Sequence, residues 1–448
     1  MDNQLTSNIA LSNASDLEKQ QLLTKLFWKI LPILFIAYFF SFLDRVNIGY
    51  AKLQMQEAIG FTDSQYAMAA GIFFIGYAFF EIPSNILMGK IGARKTLARI
   101  MILWGLASAA TMFVSTASQL YFLRLLLGIF EAGFFPGVIL YLSFWFPSYM
   151  RGRVTSILIL ATLAAPIIGG PISGLIMTHM NGVHGLGGWQ WMFALEAMPI
   201  ILIGFLCLVY LTDKPQSSKW LDSSERALHK QIMQEDKKDV PEESSGHTGT
   251  AVLSCLKDVR VYLLASLAFA AYCGSYGFNF WLPTMIKEMG VTDIAQISFY
   301  AVIPFSLAAV GMITVGRSSD KRRERRWHYA ISMLFGAAMM ALAAFWEGGL
   351  VTRLIILGLA GFGFSGGVVV AWSLPAAYLK DKTAPAGIAM VSTLATMSGL
   401  FAPWLIGIMR ESTGTNAAAL LSIAGVMVAA ALIMIFLIPA KAVFVSDK

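Results

Sequence analysis

The sequence predicts an all-α membrane protein with twelve transmembrane helices in two pseudo-symmetric six-helix halves. Three observations predict it. The 448 residues are 57% apolar and only 13% charged, against roughly half apolar and a quarter charged in soluble domains. Twelve long apolar runs recur along the chain. The loops between them alternate between rich and poor in Lys and Arg.

The elements follow in order. Residues 1–27 read as a polar cytoplasmic tail with no short apolar run and cleavage site, so the first span is expected to remain in the mature chain. A bilayer crossing takes about 20 mostly apolar residues. Such runs fall at 28–47, 67–88, 96–115, 119–142, 154–178 and 191–211, which form the first half, 28–211. The longest polar stretch, 212–257, reads as a solvated cytoplasmic linker with a short helix near 222–236. Further runs at 259–286, 297–316, 328–346, 353–377, 384–409 and 416–438 form the second half, 258–438, before a cytoplasmic tail at 439–448.

Basic residues mark the cytoplasmic loops of membrane proteins. Lys90, Arg94, Lys95 and Arg99 follow the second span, and Arg151 and Arg153 follow the fourth. Arg317, Lys321, Arg322, Arg323, Arg325 and Arg326 follow the eighth, and Lys380 and Lys382 the tenth. The alternate loops are nearly empty. Both termini are therefore expected in the cytoplasm, and the net charge of +7 reads as topology signal rather than as a nucleic-acid surface. NILMGKIGARK (85–95) and GRSSDKRRERR (316–326) sit at the same point of each half, a weak internal repeat. Repeated halves imply a central cavity and a rocking motion.

Charges inside the spans carry the functional signal. Each costs about 2.5–3.5 kcal/mol at mid-bilayer on insertion scales, so each needs a partner or a cavity. Asp44 and Arg45 end the first span. Arg124 and Glu131 are seven apart in the fourth and share a helix face, with Gly128 between them leaving room for close approach. Tyr77 and Glu81 share a face of the second. Arg45 or Arg124 is expected to bind a substrate carboxylate, which a guanidinium fork matches. Asp44 or Glu131 is expected to carry a proton, because a carboxyl in a low-dielectric site can load and unload near neutral pH. The alternative is that Asp44 and Arg45 lie in an outer loop and that Arg124 and Glu131 tie helices together. Glu81 reads as a gate or a structural link, and Glu196 and Glu347, near span ends, as structural. The second half offers shape rather than charge: Tyr276, Asn279 and Trp281 on the seventh span, with Tyr272, then Trp372 and Ser373, then Ser392, Thr393 and Thr396. The three cysteines, Cys207, Cys255 and Cys273, have neither metal nor disulfide spacing.

At FSFLDRVNIGYA, GIFEAGFFPG, YLSFWFPSYMRGR and GGWQWMFALEAMP the chain resembles the major facilitator superfamily, and within it the anion:cation symporters that include sugar-acid, tartrate, phthalate and hydroxyphenylacetate permeases. The similarity runs from about residue 27 to residue 438. It implies the major facilitator fold, alternating access, proton handling at Asp44 and Glu131, substrate binding or coupling at Arg45 and Arg124, and substrate contact at Tyr77. It also implies gating by the loop motif, represented by Lys90, Arg94 and Lys95 in the first half and by Asp320 and Lys321 in the second. Asn85 and Gly89 replace the motif's Gly and Asp in the first copy, so the second copy is expected to matter more. GGPISG (169–174) is close to an antiporter motif, but Pro166 and Leu175 replace two of its glycines; it reads as packing and kinking. Sugar-acid members present an amide from the fifth helix. ILATLAAP offers only Thr162, which points to a substrate with fewer hydroxyls, an aromatic or short-chain acid.

The expected function is therefore proton-coupled uptake of a small organic carboxylate across the bacterial inner membrane by a monomer in the lipid bilayer, without cofactor, metal or nucleic-acid partner. A proton-driven efflux antiporter is the nearest rival. A membrane enzyme is less supported, since the five histidines are scattered and no nucleophile motif or phosphate loop is present.

Overall fold

The computed structural model describes residues 2–239, 255–379 and 384–439, with side chains over 17–236, 255–375, 378–379 and 386–439. Lys380, Lys382, residues 240–254 of the linker and the tail from 440 lie outside the described residues. All described secondary structure is helical, and twelve segments are long and apolar enough to cross a bilayer. The first six are built from α1 (Asp2–Ile59), α2 (Asp63–Ile91), α3 (Ala93–Ala110), α4 (Ala117–Glu131) continued by α5 (Phe134–Trp145), α6 (Ser148–Ala164) continued by α7 (Gly170–His179), and α8 (Gly188–Tyr210). After the linker helix α9 (Ser223–Asp239) come α10 (Val259–Glu288), α11 (Ile294–Arg322), α12 (Arg326–Phe345), α13 (Leu350–Tyr378), α14 (Ala384–Thr396) with α15 (Ser398–Thr413), and α16 (Asn416–Phe436).

Local chemistry sets the boundaries. Thr62 and Gln65 form a reciprocal capping box at the start of α2, which satisfies two otherwise free backbone donors. Asp258 and Asp293 cap α10 and α11 in the simpler way. The fourth span breaks after Glu131, where Gly133 takes a left-handed φ of 83° that a side chain would resist. The fifth span passes through a π turn, Ala165–Gly169, that contains Pro166. A proline cannot donate to the helical ladder, and a wide turn absorbs the mismatch.

The first span differs most from expectation. Its apolar run stops at 47, yet α1 continues to Ile59 and also begins well before residue 28. Several of the polar residues that resemble a loop are met by another helix. Gln54 donates to Met177 O and accepts from Trp189 N–H. Lys52 reaches Asp63 at 2.8 Å. Asp44 and Arg45 therefore sit inside a long helix rather than at its edge.

The linker helix α9 is fastened to the first half. Lys19 pairs with Glu235 and Lys25 with Glu225, and Asp236 accepts from the Ser148 N–H at the start of α6. Trp220 stacks on Trp145 at 5.4 Å. His229 contacts the Trp145 carbonyl at 3.1 Å, and burial holds its imidazole below the usual range although that carbonyl pulls the other way. The two halves meet chiefly along α1 with α10, α2 with α15 and α7 with α11.

Candidate functional site

The site is organised by α1. Neighbouring residues on a helix diverge by about 100°, so Asp44 and Arg45 do not pair with each other. Arg45 turns toward α4, and Asp44 toward α3. Helix α4 lies close against α2 because Gly128 has no side chain: a Cβ there would sit 2.0 Å from the Phe73 carbonyl. That contact brings Glu131 within reach of α1.

Glu131 is fully buried, and its Oε1 accepts from Arg45 Nε at 2.9 Å, Arg45 Nη2 at 2.6 Å and Ser41 Oγ at 2.6 Å. Ser41 and Arg45 are four apart, on one face of α1. Aromatic rings flank the guanidinium, with Phe73 at 5.4 Å and Tyr77 at 5.0 Å. Tyr276 of the second half also lies in its electrostatic neighbourhood, and Tyr38 stacks beside it on Phe135. Tyr276 continues into a stack with Tyr272, whose hydroxyl accepts from Trp372 Nε1 at 2.7 Å. Arg45, Tyr77, Tyr276 and Trp372 thus form one basic, aromatic surface contributed by both halves.

Arg124 stands apart. It is only 1% exposed, faces Phe73 at 5.5 Å and acts electrostatically on Asp44. Asp44 Oδ1 accepts from Ser108 Oγ and from Asn47 Nδ2. Arg124 Nε and Nη2, Asp44 Oδ2 and Glu131 Oε2 have no hydrogen-bond partner among the described residues. Orphaned buried polar atoms are costly, and four of them fall on these three residues.

The remaining expected residues fall elsewhere. Asn279 donates to Ser275 O of its own helix, with Oδ1 unpartnered. Ser373 and Thr396 hydroxyls go to Val370 O and Ser392 O of their own helices, so these hydroxyls are engaged locally in this state. Trp281 is not beside Arg45. It is fully buried at the end of the molecule where α1 meets α2, with Lys52 at 4.0 Å and Arg410 at 5.0 Å from its ring. Lys90, Arg94 and Lys95 occupy the α2–α3 junction, where the Arg94 N–H donates to Asp213 at 2.8 Å. Asp213 supplies a carboxylate to a loop whose own motif has Gly89. Asp320 pairs with Arg325 at 2.6 Å, and Lys321 lies next to it in the last turn of α11.

Around Trp281 lies a cluster that the sequence reading did not single out. Asp63 binds Lys52 at 2.8 Å and Arg410 at 2.9 Å, and Arg410 also reaches Glu288. Tyr66 Oη donates to Phe280 O at 2.8 Å, and Lys287 Nζ to Leu53 O at 3.3 Å. These bonds join the two halves at the Lys/Arg-poor end and close it. Partly exposed ion pairs contribute up to about 1 kcal/mol each, or about fivefold in a two-state population. Arg410→Gln is accordingly expected to raise opening at this end several-fold, read as maleimide labelling of a cysteine placed at Thr284. Labelling equal to that of the parent would remove the cluster from gating.

The comparisons agree with this architecture. The Major Facilitator Superfamily model matches residues 34–384. A protein named metabolite transport protein NicT from Pseudomonas putida is 40% identical over 94% of this chain and 95% of its own length. One named tartrate transporter from Agrobacterium vitis is 40% identical over 94% of this chain and 96% of its own. The inward-open structure of the xylose transporter XylE from E. coli superposes with a TM-score of 0.70 at 16% identity, covering 92% of this chain and 96% of that one.

Proposed function

Because the chain belongs to the Major Facilitator Superfamily, we propose that it is a proton-coupled symporter that takes up a small organic carboxylate by alternating access. One observation carries the reading. The Nε–Nη2 edge of Arg45 is occupied by a single oxygen of Glu131. An incoming carboxylate competes for that edge. It gains it when a proton neutralises Glu131, which then releases Arg45. Proton and anion thus enter together, and neither charge is left uncompensated in the low-dielectric interior. The closed Lys/Arg-poor end supports a state open to the opposite, Lys/Arg-rich side. By the charge rule that side is the cytoplasm, with both termini on it and the protein in the bacterial inner membrane. The aromatic surface around Arg45 supports an aromatic or short-chain acid. The names of the metabolite and tartrate relatives are compatible with a carboxylate cargo.

The test is uptake into proteoliposomes. With an inward proton gradient, labelled benzoate, phthalate or tartrate is expected to accumulate, at most weakly affected by excess gluconate. Strong preference for gluconate would sink the substrate assignment. Uptake insensitive to both gradient and protonophore would sink symport. Export stimulated by the inward gradient would instead establish antiport, the second reading.

A further inference from the structure

A second carboxyl pair lies behind the Arg45–Glu131 pair. Asn47 Nδ2 donates to Asp44 Oδ1 at 3.2 Å and to Glu196 Oε2 at 3.1 Å. Ser173 Oγ lies 2.6 Å from Glu196 Oε1 and 3.1 Å from Gly169 O. Asp44, Asn47, Ser173 and Glu196 are all buried.

An amide nitrogen has two protons, enough for both Asn47 contacts. A hydroxyl has one, and Ser173 faces two acceptors. When Ser173 donates to the Gly169 carbonyl, the short contact to Glu196 is bridged by a proton on Glu196 itself. The charges of the cluster point to Glu196 as well. Asp44, Glu131 and Glu196 face two guanidiniums. Glu131 occupies Arg45, and Arg124 is the cation that acts on Asp44. Glu196 has the neutral Ser173 and Asn47, and across Asn47 the like charge of Asp44. Two carboxylates joined through one amide in a dry site resist ionising together.

We propose that Glu196 is a proton-binding site that shares one proton with Asp44, the two titrating as a pair. The titratable groups facing Glu196 are Asp44 and Tyr50 of α1. Helix α7 adds the neutral Ser173, while Ser108 of α3 and Arg124 and Glu131 of α4 act on Asp44. The role of this proton in transport rests on the symport reading; the site itself does not.

Infrared difference spectra of the full-length protein in lipid vesicles, recorded against a pH change alone, test the site. A protonated-carboxyl stretch that fades as pH rises is expected, present in the wild type and in Glu131→Gln and lost in Glu196→Gln. An equal band in Glu196→Gln would overturn the proposal. So would a Glu196 band that stays constant over the pH range in which the protein transports, since that describes a permanently neutral structural group. If Glu196→Gln does not fold, Ser173→Ala carries the test: loss of the bonding partner shifts the band, and an unshifted band overturns the assignment. A titrating Glu196 band in a protein without proton-driven uptake would leave the site standing and remove the symport reading alone.

Discussion

Glu131→Gln abolishes proton-driven accumulation while sparing counterflow exchange, on the coupling proposed here. The variant keeps a carbonyl oxygen where Oε1 accepts from Arg45 and Ser41. Its amide nitrogen falls where Oε2 has no partner among the described residues. The fold should therefore tolerate it, with a thermal midpoint near the wild type. What it lacks is a site for the proton. A neutral side chain no longer holds Arg45 against the anion, so substrate binds and the halves still alternate. Exchange of labelled for unlabelled acid continues. Accumulation falls from about tenfold per pH unit of gradient, the limit for one proton carried, to none. Retained counterflow together with an unchanged thermal midpoint separates this from simple damage. Full accumulation in Glu131→Gln would take the residue out of the mechanism and leave Asp44 in its place.

The parts of this site that the sequence discloses, and those it hides, differ for a physical reason. Bilayer thickness fixes the length of an apolar run, so the twelve spans stand out, and a charge inside such a run is conspicuous. Asp44, Arg45, Arg124 and Glu131 are legible on that ground alone. Their pairing is not. Seven-residue spacing puts Arg124 and Glu131 on one face of the fourth span, whereas Glu131 pairs with Arg45 of another helix. That choice depends on which helices adjoin, set partly by the contact of Gly128 with Phe73. The end of α1 is hidden for a related reason, since Asn47, Lys52 and Gln54 find partners only in three dimensions. Glu196 resembles a span-end residue, but α8 starts at Gly188 and carries it about two turns inward. Trp281 and Tyr276 are indistinguishable as aromatic residues of one span. Only the arrival of Arg410 and Lys52 assigns Trp281 to the closed end. Asp63 and Arg410 are 347 residues apart, and no local pattern connects them.

On the proposed reading, Arg45→Ala is expected to remove anion binding, whereas Arg124→Ala is expected to weaken it less, acting through Asp44. Both arginines are suited by chemistry to a carboxylate, and exposure with partner choice separates them. The Arg45 side chain is 12% exposed and bonded to a group that can let go by taking a proton. It is flanked by Tyr77 and faces Tyr276, so the two halves converge on it. Arg124 is sealed under Phe73 at 1% exposure and supplies the charge that compensates Asp44. Truncating one member of a buried charge pair costs about 2–5 kcal/mol, which is a loss of about 30-fold or more in affinity for the arriving acid. Part of that loss appears as reduced stability, because Glu131 then keeps only Ser41. The double variant Arg45→Ala with Glu131→Gln relieves this by removing both charges. It is expected to recover the thermal midpoint without recovering binding. Arg45→Lys retains the charge but not the fork, so binding should return only in part. Thermal-shift titration with benzoate, phthalate and tartrate reads all four proteins on one scale. Unchanged affinity in Arg45→Ala, together with loss in Arg124→Ala, would move the anion site from the interface of the halves into the interior of the first half. The acid would then have to pass Phe73 to reach it, and the Arg45–Glu131 pair would become a gate rather than a binding site.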